Sequence, residues 1–315
     1  MHHYVTLFDS LFLPQGISLH TSMERHLVNF TLWILCVDDE SYEIMEKLDL
    51  SNVRLLRLSS LENTELKRVK STRSKKEYCW TLTPFAPIFV FESDPEIKSV
   101  TYLDADMWFN RYPIEIMDEF NTSGKSILIT DHGYSPDNDH SRLFGRFCVQ
   151  FLIFKKPACD SILRDWKDNC IEWCSDYPSE GKFGDQKYLD AWPKIFRSDV
   201  HILQKMELIM APWNAKRFPW GQSEIWHFHG LRINPRANFG FKVLLGGYAL
   251  PRVVVKYIYQ PYLDDMRSAV NKLVSNGYWP QNQFKYTSKN LLIVFAGFLY
   301  RKLAAYQIIN AKYRL

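Results

Sequence analysis

Residues Val100–Phe109 read V-T-Y-L-D-A-D-M-W-F, an apolar stretch that ends in Asp104 and Asp106. Along an extended strand, positions i and i+2 share one side, so the two carboxylates can converge on a point. Convergent carboxylates repel each other unless a cation sits between them, and oxygen ligands suit Mg²⁺ or Mn²⁺. Such ions keep coordination positions for substrate phosphates, which directs the reading toward a nucleotide-diphosphate site. The bland alternative is an exposed turn with two solvated carboxylates. The β-branched and aromatic run ahead of the pair weighs against it.

Three later segments add chemistry. In Gly184-Asp185-Gln186-Lys187-Tyr188-Leu189 an acid and an amide open a predicted helix, although Asp185 could equally be an N-cap. Ala211-Pro212-Trp213-Asn214 reads as a loop whose aromatic could be core. In Trp226-His227-Phe228-His229-Gly230 alternate histidines share one side of a strand end, and either could offer an imidazole ligand beside a close backbone approach. The basic run Lys67, Arg68, Lys70, Arg73, Lys75, Lys76 is mostly a solvated helix face, with Arg73 singled out as a diphosphate or anionic-acceptor contact.

The elements that must position these groups follow from periodicity. His3–Phe8 and Phe30–Val37 are strand-like, separated by a helix-compatible stretch from Ile17 to His26. Glu40–Leu48 is amphipathic and precedes a short strand, Val53–Leu58. A helical stretch over Lys75–Phe91, shifted or kinked by Pro84 and Pro87, leads into the strand Val100–Asp106. Ser126–Thr130 and Val149–Phe154 read as buried strands, Ala158–Cys174 and Asp185–Trp192 as helices, and Asn214–Gly247 as loops wrapping a ligand. Alternating strands and helices imply a mostly parallel α/β sheet covered on both faces. Ligands of such sheets bind beyond the carboxyl ends of the strands, where Asp9 and the Asp104/Asp106 pair fall.

The 315 residues, 46% hydrophobic and 15% aromatic, allow one sizeable α/β domain with an appendage or two small domains. The 10 Trp, 17 Tyr and 21 Phe exceed the needs of a core, and an aromatic surplus can line a sugar or partner surface. A net charge of +4, without a nucleic-acid motif, gives no reason to expect a nucleic-acid partner. The six cysteines form no C-x-x-C pair and read as reduced thiols of a cytosolic protein. From about Pro251 the texture changes. Asp264–Asn276 is helical, and Leu291–Tyr300 is nearly all apolar with Arg301 and Lys302 behind it. That segment is too short to span a bilayer. It reads either as a helix in the headgroup region or as one packed on the domain or a second subunit.

The ordered set of a strand-start Asp, Y-L-D-A-D, G-D-Q, W-N and H-x-x-G resembles the glycosyltransferase-A fold. Within it the chain is similar to the retaining enzymes grouped with glycogenin and the bacterial lipopolysaccharide galactosyltransferases, glycosyltransferase family 8. R-S-K-K-E-Y-C-W-T-L-T-P, F-G-D-Q-K-Y-L-D-A-W-P and H-F-H-G-L resemble a bacterial group of nucleotide-diphospho-sugar transferases associated with surface polysaccharide assembly. The resemblance covers roughly residues 3–235. It implies a Rossmann-like central sheet and a transferase domain over 1–250; the tail outside it, 251–315, is expected as a helical C-terminal extension that meets a membrane surface, the domain or a second subunit.

Position by position, the resemblance makes Asp104 and Asp106 the pair that holds Mn²⁺ or Mg²⁺ against the donor diphosphate, with Asp104 also near the ribose. His227 matches the third ligand, with His229 as the alternate, and Asp9 the residue that meets the nucleotide base. Asp185 matches the group binding donor-sugar hydroxyls and Gln186 the one facing the anomeric carbon. Two positions depart from the pattern. Cys148-Val149-Gln150 stands where the family often has N-x-G, so Gln150 takes over the sugar contact. Ile233 stands where a diphosphate-neutralising lysine would fall, so Arg232 takes that role.

The resulting expectation is a cytoplasmic, metal-dependent retaining transferase on the inner face of the membrane. It would move sugar from a nucleotide-diphosphate donor, a UDP-sugar first among them, to a glycan or lipid-linked acceptor of lipopolysaccharide, O-antigen or capsule. The alternatives are a catalytically degenerate nucleotide-sugar-binding module and a sugar nucleotidyltransferase. The latter normally carries a Gly-rich signature, and Asp9-Ser10-Leu11-Phe12-Leu13 offers none.

Overall fold

The computed structural model describes residues 1–237, 240–246, 248–284 and 308–309. Its first strand, β1 (His2–Phe8), is followed by a helix at Leu13–His26, then β2 (Phe30–Cys36), a helix at Asp39–Leu48 and β3 (Val53–Arg57). These strands run parallel, and their β-branched and aromatic residues are buried almost throughout, as a sheet covered on both faces requires. β4 (Ser99–Leu103) returns to the other side of β1, again parallel. The chain thus winds one way through β1, β2 and β3 and reverses at β4. The carboxyl ends of β1 and β4 therefore flank a topological switch point, where open α/β sheets bind ligands.

The sheet is completed by β6 (Ile127–Asp131), β7 (Phe147–Lys155) and β8 (Val200–Ile202), in the order β3-β2-β1-β4-β7-β6-β8. β7 is antiparallel to both neighbours, so the sheet is mixed but mostly parallel. A small second sheet joins β5 (Met107–Phe109), β10 (Ile225–His227) and β9 (Ile209–Met210). A third contains the hairpin β11 (Arg232–Ala237) and β12 (Gly240–Leu244) with β13 (Ile308–Ile309).

Three expectations change. The strand expected over Val100–Asp106 stops at Leu103, and Asp104–Asp106 form a turn closed by the Met107 amide donating to the Asp104 carbonyl at 3.1 Å. The long helix expected over Lys75–Phe91 is two helices, Lys75–Leu82 and Phe85–Ser93, because Pro84 cannot donate to the preceding turn. Asn214–Gly247, expected as loops, contains β10, β11 and β12. Its Trp226, Phe228, Ile233, Phe241 and Val243 are buried with Tyr259, Tyr262 and Met266. Much of the aromatic surplus is therefore core packing.

The helix Gln260–Ser275 lies in that core. The Tyr262 ring stacks on Phe228 at 3.6 Å, and Asp265 joins Arg25 at 2.7 Å while accepting from the Trp108 indole at 2.7 Å. Among the described residues no helix is long and apolar enough to cross a membrane. The apolar segment Leu291–Tyr300 and its basic flank lie outside the described residues.

Candidate functional site

Strand register assembles the site. Leu103 of β4 pairs with Phe151 of β7, so the Asp104 amide meets the Gln150 carbonyl at 3.1 Å. Met107 of β5 pairs with His227 of β10, and the Phe228 amide donates to the Asp106 carbonyl at 2.9 Å. One turn thus links two sheets and brings the histidine strand against the aspartate pair. His227 Nε2 lies 3.0 Å from Asp106 Oδ1 and 3.7 Å from Asp104 Oδ2. One ligand atom from each of the three falls within 4.8 Å of the others.

The neighbours orient these groups. His227 Nδ1 sits 2.8 Å from Gln150 Oε1, so its proton points there and Nε2 faces the carboxylates. The Tyr102 hydroxyl donates to Asp104 Oδ1 at 3.0 Å. Burial works against charge on His227, but the Asp106 and Asp104 carboxylates outweigh it and raise its pKa. Burial likewise works against charge on Asp106, and His227, Arg232 and His229 overcome it, holding Asp106 well below the carboxylate range. Burial raises Asp104, and its neighbour Asp106 adds to that. His229 and His132 are pushed down by burial, to about 3 and about 4, opposite in direction to His227. Two carboxylates and an imidazole, with Nε2 held toward the shared point, fit a divalent cation. Gln150 Nε2, buried and without a partner, is a second sign that the site is built for a ligand.

A second centre lies beside the first. Asp185 is buried, its main-chain carbonyl accepts from the Trp166 indole at 2.8 Å, and its Oδ2 has no partner. It is not an N-cap: the short helix Lys187–Ala191 is preceded by Gln186 and has no side-chain cap. Burial raises the Asp185 carboxyl to about 7, Thr83 and nearby backbone opposing and Asp104 adding to the rise. The Gln186 side chain donates to the Phe144 carbonyl at 2.7 Å.

The remaining expected residues sit as follows. Asp9, at the end of β1, accepts from the Leu11 amide at 3.0 Å and pairs with Lys75 at 2.9 Å. Lys75 also reaches Asp38 at 3.3 Å, and Asp38 in turn holds the Ser10 amide at 3.0 Å. Arg73 donates to the Ile171 carbonyl at 2.7 Å and to Thr81, so its guanidinium ties two helices together. Arg232 lies over the Phe12 ring at 4.8 Å and adds positive potential at Asp106. Ile233 is buried. Gln150, expected at the sugar, is placed on His227.

Sequence reading missed Lys75, Thr83 and Tyr102. Lys75 had a signal: Ser74 and Glu77 form a capping box, which fixes Lys75 in the first turn of a helix aimed at the β1 and β2 ends.

No family model matches the chain. The Bacillus subtilis (strain 168) protein YfnF is 32% identical over 248 residues, covering 73% of this chain and 82% of YfnF. YfnD of the same organism is 28% identical over 290 residues, 87% of this chain and 91% of YfnD. Among solved structures, the galactosyltransferase LgtC in complex with donor and acceptor sugar analogues superposes with a TM-score of 0.52 at 12% identity, over 84% of this chain and 95% of that one. The apo form of the glycosyltransferase GlyE from Streptococcus pneumoniae TIGR4 gives 0.50 at 13% identity, over 90% of this chain and 66% of that one. At such identities the likeness is one of fold, and it matches the mostly parallel sheet with its switch point. The chain belongs to the family of Bacillus subtilis YfnF, and its fold is the glycosyltransferase-A fold.

Proposed function

We propose that the protein is a metal-dependent glycosyltransferase that moves a sugar from a nucleotide-diphosphate donor, a UDP-sugar first, to a glycan acceptor of a bacterial surface polysaccharide. The observation that carries this reading is the convergence of Asp104, Asp106 and His227 at the switch point, with the unpartnered carboxylate oxygen of Asp185 beside them. LgtC, of the same fold, has been seen with donor and acceptor sugar analogues, which agrees with this reading.

Asp104, Asp106 and His227 would hold Mn²⁺ or Mg²⁺, which supplies Lewis-acid stabilisation of the charge that develops on a leaving diphosphate. Arg232 adds fixed positive potential at the same place. Asp9 accepts from a donor group on the base, with Lys75 beside it. Asp185 orients donor hydroxyls through its free oxygen, and this orientation sets the line of attack. The acceptor oxygen bonds to the anomeric carbon while the bond from that carbon to the diphosphate oxygen breaks. The electron pair leaves with the diphosphate, and the hydroxyl proton passes to it or to solvent. Gln186 is a poor nucleophile and is occupied by the Phe144 carbonyl, which favours same-face attack with retention.

A thermal-shift titration with UDP-sugars tests the reading, since a ligand that binds only the folded state raises its stability. A shift that requires Mn²⁺ or Mg²⁺ and disappears in Asp106→Asn is the expected result; an equal shift without metal would sink it. Product NMR that finds an inverted anomeric centre would refute retention. A binding module without turnover is the second reading, supported by the buried Ile233 in place of a lysine. Metal-dependent hydrolysis of the donor would exclude it.

A further inference from the structure

A row of rings runs beside Asp185. Trp80 and Phe183 meet edge to face at 5.6 Å, while Phe183 and Phe144 at 4.7 Å and Phe144 and His140 at 5.7 Å are tilted against each other. His140 in turn stands edge-on to Tyr134 at 6.0 Å. Trp80, Phe183, Phe144 and His140 are all half-buried, and among the described residues the first three lie outside the apolar clusters that form the core. The Lys76 ammonium lies over the Trp80 ring at 4.3 Å, and a row of rings that keeps solvent contact in this way is not explained by folding alone.

The row is built onto the reaction end of the site. Gly184 has φ +52°, and a Cβ there would stand 3.2 Å from the Trp80 ring, so only glycine lets the chain lie flat against it on the way to Asp185. Gln186 holds the Phe144 carbonyl at 2.7 Å, and Lys187 holds the Ser141 carbonyl at 3.1 Å. The short helix Ser141–Phe144 is thereby fixed to the two residues that follow Asp185.

We propose that Trp80, Phe183, Phe144 and His140 form the subsite for a pyranose ring of the acceptor glycan, next to Asp185. A pyranose presents a C–H face that suits an aromatic wall and an edge of hydroxyls that suits an imidazole such as His140. The subsite is for acceptor rather than donor. Asp106, His227 and Asp185 are buried, whereas all four rings keep contact with solvent, where a second substrate enters. This inference rests on the transferase reading.

Saturation-transfer NMR on the full chain tests it, with methyl glycosides of glucose, galactose, mannose and N-acetylglucosamine as probes, with and without UDP and Mn²⁺. At least one glycoside should show saturation of its ring C–H protons. The signal should fall fivefold or more in Phe144→Leu and Trp80→Leu and survive in Phe144→Tyr, which keeps the aromatic face. Leucine keeps the partly exposed wall apolar, and a circular-dichroism melt of each variant checks that it is folded. No glycoside signal on the wild type, or equal signals in the leucine variants, would overturn the subsite. The wild-type thermal shift with UDP and Mn²⁺ is read alongside. A shift without a glycoside signal removes the subsite alone, and a missing shift removes the donor reading.

Discussion

Asp106 and Asp185 are both buried carboxylates at the mouth of one sheet, and their surroundings push them in opposite directions. Asp106 has a protonatable imidazole at 3.0 Å and the potential of Arg232, so its charge is stabilised before any ligand arrives. Asp185 has a neighbouring carboxylate, Asp104, and an oxygen with no partner, and its carboxyl titrates near 7. The first centre is preorganised around charge. In the second, the Thr83 hydroxyl and nearby backbone offset burial only in part, as for a group waiting for ligand hydroxyls. Burial alone therefore does not determine the role of an acid; the charge beside it does.

The largest effect expected from breaking this contrast is on Asp106→Asn. Loss of one cation ligand should cost roughly 4 kcal/mol of transition-state stabilisation, about a thousandfold in turnover of a UDP-sugar. Steady-state assays at saturating Mn²⁺ would detect it, and a variant within tenfold of wild type would make the aspartate dispensable.

Asp185→Asn should lower turnover by about a hundredfold, the scale of removing one orienting polar group, while raising stability. The unfolded chain loses the Asp185 proton near pH 4, the folded ligand-free protein only near 7. Between those values the folded state binds more protons, so stability falls as pH rises through the window. Above pH 7 the penalty is complete, up to roughly 4 kcal/mol. The asparagine variant should accordingly melt higher than wild type at pH 8 and match it near pH 4. Circular-dichroism melts across this range that stay parallel would contradict the buried-acid account.

Gln150→Leu sharpens the metal end. Without the Oε1 that holds Nδ1, the His227 ring loses its fixed orientation, and Mn²⁺ affinity should drop about 10- to 100-fold. Electron paramagnetic resonance titration of free Mn²⁺ measures this directly. The smallest effect belongs to Lys75→Met. Its ammonium is well exposed, so the pairs with Asp9 and Asp38 should contribute under about 1 kcal/mol to stability and less at high salt. A melt that shifts by much more would mean that Lys75 holds the β1 and β2 ends together rather than resting on them.

Local pattern carried much of the fold. The buried strands β1, β2, β6 and β7 and the helices flanking them were readable, since residues a few positions apart decide them. The break at Pro84 was visible as a proline but not as a cause. The hydroxyl of Thr83 beside it meets Asp185, about a hundred residues on, an approach no local pattern encodes. The Asn214–Gly247 stretch misled because its aromatic and glycine content resembles a ligand loop, while the helix Gln260–Ser275 turns Trp226 and Phe228 into core. Arg73 was singled out of its run as a phosphate contact, and the Ile171 carbonyl to which it donates lies 98 residues away.

From sequence alone came the residue types that can bind a cation and a sugar, the alternation of strands and helices, and the acidic strand ends where a ligand would sit. Tertiary structure decided which atoms meet. The aspartates converge through a turn and not through strand alternation. His227 rather than His229 faces them, because β10 pairs with β5 in the register that sets it opposite Met107. Gln150 reaches that histidine across 77 residues. Short-range preference fixes how each segment is shaped, but the order and register of strands, set by burial of their faces over the whole sheet, fix which polar groups are left inside together.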